Sequence, residues 1–278
     1  MKNIRRFIRN FVNALMRPEM LVLPGHLAFF FFLSVVPTIT VISYGASFLN
    51  LPMDFISGFL TRSFGASVAE YIIPMVSGVK LSIGYVITLI LGFIIASNGA
   101  AAMIITSNTV YKIRDNGFVR RRIKAFIMTI FIVLLFLFIL VIPIFGDIII
   151  DMIKLVNINT VVTNNIVRVF NVLKGPVSWL IIFFFIKLLY TMAPDRKLPS
   201  RFVNYGAVFT SVFWILATYL YSYYINHFAN YSVFYGGLAN IVILMLWVYL
   251  LAYIYVIGLA LNNREEIDKI EKTANIKM

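Results

Sequence analysis

The sequence predicts an all-α fold: a polytopic membrane helix bundle of about six transmembrane helices, with amphipathic interfacial helices on its outer side. Three observations carry this. Of 278 residues, 61% are hydrophobic and only 13% charged, too few charges to cover a water-soluble surface of that size. The apolar residues fall in blocks near the ~20 residues that cross a ~30 Å hydrocarbon core. Lipid offers the backbone no hydrogen-bond partners, so such blocks must be helices or strands of a closed barrel. Barrel strands are about ten residues of alternating polarity, and unbroken apolar runs such as 127–142 exclude them.

The whole chain, 1–278, reads as one membrane domain. A basic leader, 1–24, carries Lys2, Arg5, Arg6, Arg9 and Arg17. The first span, 25–49, exceeds the 7–15 apolar residues of a cleaved signal and more spans follow, so a retained signal anchor is expected. The second span covers 82–110 and the third 125–150, the latter interrupted by Pro143, Gly146 and Asp147. The fourth covers 177–192, the fifth 203–225 and the sixth 236–261, completing a bundle over 25–261. A charged tail, 262–278, follows. Two connections are too long to be turns. Residues 51–79 place Phe55, Ile56, Phe59, Leu60, Phe64 and Val68 near helical spacing, and 147–174 mix apolar and polar residues similarly. Both read as amphipathic helices at the outer interface or, equally, as segments packed on the spans.

Charge placement gives the orientation. Eighteen of the 24 Lys and Arg residues lie in the leader, in 112–124, in 196–201 and in the tail; five lie in the alternate connections. By the positive-inside rule both termini face the cytoplasm and the span count is even. The net charge of +13 is therefore mostly a rim that meets anionic lipid headgroups. Arg120, Arg121, Arg122 and Lys124 belong to that rim. No aromatic platforms or base-reading side chains interleave with them, so nucleic acid is not an expected partner.

Catalytic chemistry finds little material. Cysteine is absent, and the two histidines are His26 and His227. There is no HExxH, GxSxG or Walker loop, so no metal or other cofactor is expected and the chain does not read as an enzyme. Polar residues at depth are more informative, because lipid tolerates them only against a neighbouring helix or a watered cavity. In span one these are His26, Ser34 and Pro37; Pro37 frees the carbonyl of Leu33, giving a kink, a cavity, or a kink repaired by Ser34. In span two Asn98 stands beside Gly99 and three alanines, as interhelical glue or as a substrate-path residue. Lys187 in span four either snorkels to the inner face or contacts a lipid phosphate together with Arg196 and Lys197. Spans five and six carry an aromatic belt, Trp214 and Tyr219 through Trp247, Tyr249, Tyr253 and Tyr255. The outer turn, with Asn230, Tyr231 and Tyr235, is denser in tyrosine than anchoring requires, and its glycines permit a tight return.

The order Pro194-Asp195-Arg196, Gly206, Trp214, Phe228-Ala229, Tyr231, Tyr235-Gly236, Leu238-Ala239, Trp247 and Gly258 through Asn262 resembles the YihY/virulence factor BrkB family. The run from His26 to Pro37 is similar to that family's first-span pattern, so the resemblance spans nearly the whole chain. One departure is that Gly258-Leu259-Ala260-Leu261-Asn262 lacks the glutamate common in that family, so a role resting on it does not transfer. The resemblance implies a six-span protein of the bacterial cytoplasmic membrane. Its old label of ribonuclease BN conflicts with the residue inventory, whereas links to envelope integrity and export of lipid-like molecules fit it. The expected function is a transporter or flippase-like protein for an amphiphilic anionic envelope lipid, with His26, Ser34, Pro37, Asn98, Lys187, Asp195, Arg196, Asn230, Tyr231 and Tyr235 as candidate path or lipid-contact residues. The alternative is a membrane protein that supports the envelope through protein partners, with no transport of its own.

Overall fold

A computed structural model describes residues 16, 18–48, 57, 58, 61, 73, 83–134, 160–227 and 235–275. Among them every regular element is helical. In chain order these are α1 (Glu19–Phe48), α2 (Ile83–Tyr111), α3 (118–134), α4 (Thr160–Met192), α5 (Asn204–His227) and α6 (Ala239–Asn275). Short 3-10 turns, Ser200–Val203 and Gly236–Leu238, lead into α5 and α6. Four of the described helices hold apolar stretches long enough to cross a bilayer: Leu89–Tyr111, Gly175–Met192, Ser200–Tyr221 and Ile241–Asn262. The chain is thus a multi-pass helical membrane protein. α1, at 30 residues, contains a shorter apolar stretch, Glu19–Val35. The predicted third span is described only through residue 134.

Two helices outrun their predicted spans. Residues 160–174, read as part of an amphipathic outer connection, are the first turns of α4, which continues through Gly175 and Pro176 to Met192. α6 likewise runs on to Asn275 through the tail. At ~1.5 Å per residue its 37 residues reach about 55 Å, well beyond a hydrocarbon core. The connection at 51–79 falls, but for a few positions, outside the described residues.

α6 is the hub, packing against α1, α2 and α5, while α1 also packs on α2 and α4 on α5. The core lies toward one end of the bundle, where Leu27, Ile104, Met128, Ile186, Tyr190, Val203, Tyr255, Val256 and Leu259 are fully buried. Tyr255, which the sequence groups with the aromatic belt, belongs to this core: its ring packs against Tyr190 at 4.7 Å. Other belt residues join helices. The Trp214 indole N–H donates to the Leu251 carbonyl at 2.9 Å, and the Tyr221 hydroxyl to that of Ile243 at 2.6 Å. Both lie between α5 and α6, where an indole or phenol can bury its ring and still satisfy its donor.

Glycine sets the closest approach. A Cβ on Gly206 would strike the Gly258 carbonyl and the Asn262 amide, and one on Gly258 would strike Thr210 Oγ1 and the Tyr190 hydroxyl. The freed space holds hydrogen bonds instead. Gly206 N–H, in the first turn of α5 where backbone donors lack helical partners, donates to Asn262 Oδ1 at 2.7 Å. Tyr190 donates to the Tyr255 carbonyl at 2.8 Å, so Thr210, 2.6 Å away, is left to donate to Tyr190. α4, α5 and α6 are joined here without leaving these hydroxyls unpaired in an apolar setting.

α2 ends in a Schellman turn: Lys112 N–H donates to the Thr109 carbonyl and Ile113 N–H to that of Asn108. Lys112 takes the left-handed position, φ 55°, where glycine is usual, keeping a positive charge at the negative end of the helix dipole. Gly236, φ 50°, makes the turn into α6 that its sequence position suggests.

Gly258→Ala is expected to destabilise the protein by about 2 kcal/mol through overpacking. Gly25→Ala, with nothing within 4 Å of the added methyl, is expected to be neutral or slightly stabilising. Thermal unfolding of the two detergent-solubilised variants checks the contrast; equal midpoints would contradict the close α5–α6 approach.

Candidate functional site

Helix α3 turns two of its basic residues inward, one to each of two polar centres. In the first, Arg122 crosses to α2. Its Nη1 donates to Asn98 Oδ1 at 2.7 Å and its Nη2 to the Ile94 carbonyl at 3.0 Å, one helical turn away. The same guanidinium lies over the Phe126 ring at 4.9 Å. Asn98 is in the middle part of α2's apolar stretch, so Arg122 brings charge to membrane depth on a partly exposed face of α2.

A cavity of about 180 Å³ opens beside this contact, lined by His26 and Phe30 of α1, Asn98, Ala101, Ala102 and Ile105 of α2, and Phe118, Arg121 and Arg122 of α3. Small side chains at 101 and 102 leave the room; Phe30, Ile105 and Phe118 give it apolar walls. His26 Nδ1 is buried without a hydrogen-bond partner among the described residues, and its ring meets Phe30 edge-on at 5.0 Å. Arg121 is ion-paired with Asp115 in the α2–α3 connection, and the other oxygen of Asp115 accepts Gly117 N–H at 2.8 Å. The cavity thus joins two guanidinium groups and an imidazole ring to an apolar wall, with one carboxylate nearby.

The second centre is a clasp at the core end of the bundle. Asp195, whose side chain is 3% exposed, receives Lys124 Nζ at 2.8 Å and Asn108 Nδ2 at 2.9 Å. Asn108 Oδ1 accepts Asp195 N–H at 2.9 Å, closing a reciprocal pair. Lys124 also donates to the carbonyls of Ala193 and Pro194, at 2.8 and 2.7 Å. The ammonium therefore spends its three donors on one chain turn. Burial alone would raise the Asp195 carboxyl; hydrogen bonds from Lys124 and Asn108, the Lys124 charge and the Asn116 N–H together hold it below the usual range.

The other predicted residues are placed as follows. Ser34 donates to the Phe30 carbonyl of its own helix at 2.6 Å and accepts Gly99 N–H of α2 at 3.1 Å. It joins α1 to α2. Pro37 lies within an uninterrupted α1, its ring 3.9 Å from where a Gly92 Cβ would stand. Lys187 is half-buried with its ammonium over the Phe183 ring at 5.9 Å; the cation that pairs with Asp195 is Lys124. Arg196 and Tyr235 are exposed. Asn230 and Tyr231 lie outside the described residues. Arg121, Arg122 and Lys124 were legible only as topology determinants. Their spacing relative to the apolar face of α3 was the available signal, since Ala125 and Met128 on that helix are buried.

A family model described as virulence factor BrkB matches residues 12–277. The chain belongs to that family. It is 30% identical to the ribonuclease-like protein YfkH of Bacillus subtilis over 86% of this chain and 87% of that one. Shorter matches join it to UPF0761 membrane proteins: 39% identity with one of Idiomarina loihiensis, over 29% of this chain and 28% of that one, and 36% with one of Pseudomonas aeruginosa, over 27% and 18%. No solved structure matches.

The residues that carry the BrkB resemblance are in large part those that hold the helices together: Asp195 in the clasp, Gly206 with Asn262, Gly258 against Tyr190 and Thr210, and Trp214 on α6. Ala260, where the BrkB pattern commonly has glutamate, is buried at 2% exposure in the core. Among the described residues no three His, Asp or Glu side chains gather as metal ligands.

Lys124→Met strands the buried Asp195 carboxylate and is expected to cost about 3 kcal/mol, read as a lower unfolding temperature; an unchanged temperature would remove the clasp. Because the Asp195 pKa is lowered on folding, its contribution is complete above an unfolded carboxylate pKa of ~3.9 and is lost as pH falls through the folded value. Unfolding midpoints measured from about pH 6 to pH 3 should therefore fall for the wild type and fall less for Asp195→Asn.

Proposed function

We propose that this BrkB-family membrane protein moves an amphiphilic anionic lipid of the bacterial envelope between the leaflets of the cytoplasmic membrane. The observation that carries the reading is Arg122, a permanent cation drawn between membrane helices onto Asn98, at the edge of a cavity with apolar walls. An ionisable group at such depth is costly and is retained where it faces a watered or ligand-filled space. An acidic headgroup would meet Arg122 and Arg121 while its acyl chains followed the Phe30, Ile105 and Phe118 side. Asn98 and Ile94 hold the Arg122 fork in one orientation, so part of the ordering cost of binding is met in advance.

Charge placement supports the orientation that such a function needs. The basic leader, the 112–124 and 196–201 connections and the tail would face the cytoplasm, gathering acidic lipid at the cavity's end of the bundle. No Walker loop occurs, so movement would be passive, ion-coupled or driven by a partner.

Purified protein in liposomes of phosphatidylcholine with a fluorescent phosphatidylglycerol tests this by reduction of outer-leaflet label. Acceleration by the wild type, with at least a tenfold loss in Arg122→Gln at unchanged fold, is expected, an effect on the scale of one charge-assisted contact. If the wild type does not accelerate exchange under any pH or sodium gradient, the reading fails.

A further inference from the structure

Two cationic side chains line the α1–α3 cavity, but they are not equally committed. Arg122 is tied by Asn98 and Ile94, neutral acceptors that leave its charge unbalanced among the described residues. Arg121 is balanced by Asp115, a carboxylate of the α2–α3 connection that is itself 39% exposed. The charged groups at the cavity are thus Arg121, Arg122 and Asp115, with His26 as the neighbouring titratable group, and they sum to an excess of one positive charge. A cavity of about 180 Å³ has room for roughly six waters, or for a small tetrahedral oxyanion and its ester linkage.

We infer that the cavity binds the phosphate ester of an amphiphile, and that Asp115 is the intramolecular stand-in for that phosphate on Arg121. The inference rests on the proposed headgroup site and adds its exchange step. With the site empty of phosphate, Asp115 neutralises Arg121 and holds it at the cavity wall. When a phosphate ester enters, Arg122 supplies the fixed fork and Arg121 leaves Asp115 for a phosphate oxygen, with the His26 ring forming part of the wall. Phosphate suits this better than a carboxylate because its several oxygens, arranged tetrahedrally, can take two guanidinium groups that approach from different sides. Asp115 keeps its second bond, to Gly117 N–H, so the turn entering α3 survives the exchange.

The exchange also reaches the clasp. Asn116, next in sequence to Asp115, directs its N–H to Asp195 Oδ2 at 3.4 Å. Release of Arg121 therefore loosens a connection that touches the α4–α5 turn. Asp115 at the headgroup site and Asn116 at the clasp are thus neighbours in one connection.

Asp115→Asn separates this step from the site itself, because an asparagine still caps Gly117 but no longer competes for Arg121. Full-length protein in dodecyl maltoside micelles, which contain no phosphate, is titrated with short-chain phosphatidic acid and, separately, with inorganic phosphate. Asp115→Asn is expected to bind phosphatidic acid about fivefold more tightly than the wild type and Arg121→Gln about fivefold less tightly, the scale of one half-exposed ion pair. The double variant should match Arg121→Gln alone, since the aspartate acts only through that arginine. Displacement of the lipid by inorganic phosphate assigns recognition to the phosphate group; binding that needs the acyl chain assigns it to the amphiphile. Both outcomes support the exchange, provided that Asp115→Asn tightens binding. If Asp115→Asn leaves affinity unchanged or weakens it while Arg122→Gln abolishes binding, the exchange is overturned and the site stands. If neither Arg122→Gln nor Arg121→Gln alters binding, the site itself is refuted. Asp115→Ser, which also caps Gly117 without charge, repeats the comparison if the asparagine variant folds poorly.

Discussion

The bundle depends on one buried carboxylate. Asp195 is almost wholly withdrawn from solvent, and a carboxylate in that position is tolerable only if its charge and its lone pairs are met. Lys124 supplies the charge, and Asn108 and Asn116 supply further donors. These partners come from the end of α2, the α2–α3 connection and α3, while Asp195 itself sits between α4 and α5. One electrostatic requirement therefore fixes two separate connections against each other. It also fixes the facing of α3: with Lys124 committed to the clasp, Arg122, half a turn earlier, is delivered to the opposite contact, on Asn98 and Ile94.

The same end of the molecule shows how polar groups are accommodated between membrane helices that have no hydrophobic drive to associate. Gly206 and Gly258 allow α5 and α6 to meet at the backbone, and the space that side chains would fill is taken by hydrogen bonds from Gly206 N–H, Tyr190 and Thr210. Ser34 and Gly99 do the same for α1 and α2. The backbone donors and hydroxyls named in these contacts are paired, while the Asn262 amide nitrogen is buried without a partner among the described residues. The cavity is different: among the described residues the Arg122 charge has no counter-ion, which suits an incoming anion better than a finished contact. Its position beside the clasp links a candidate binding site to the most constrained part of the fold.

Much of the architecture was legible in the residue order. Apolar blocks separated by basic connections gave helices near their observed positions, because in lipid the backbone has no alternative to internal hydrogen bonding. The long connection before span four was less legible: residues 160–174 alternate in polarity, yet they continue α4, since a helix once nucleated extends through a moderately polar stretch at little cost. Gly175 and Pro176 lie inside the continuous α4. Lys187 and Arg196 looked like the natural cationic pair at the inner face. In the structure Lys187 meets the ring of Phe183, one turn away, and the ion pair at Asp195 comes from Lys124, 71 positions earlier in the chain.

By itself the sequence determined the solvent of this protein and its class: a helical membrane chain of the BrkB pattern, with its basic residues gathered on alternate connections. Hydrophobic block length and charge asymmetry are local properties, and the bilayer reads them locally. Only the tertiary structure decided which members of the run from Arg120 to Lys124 turn inward, and to what. Every one of those side chains satisfies the same charge rule, so composition cannot rank them. The facing of α3 about its axis, set jointly by the Lys124–Asp195 pair and by burying Ala125 and Met128, sends Arg122 to an amide.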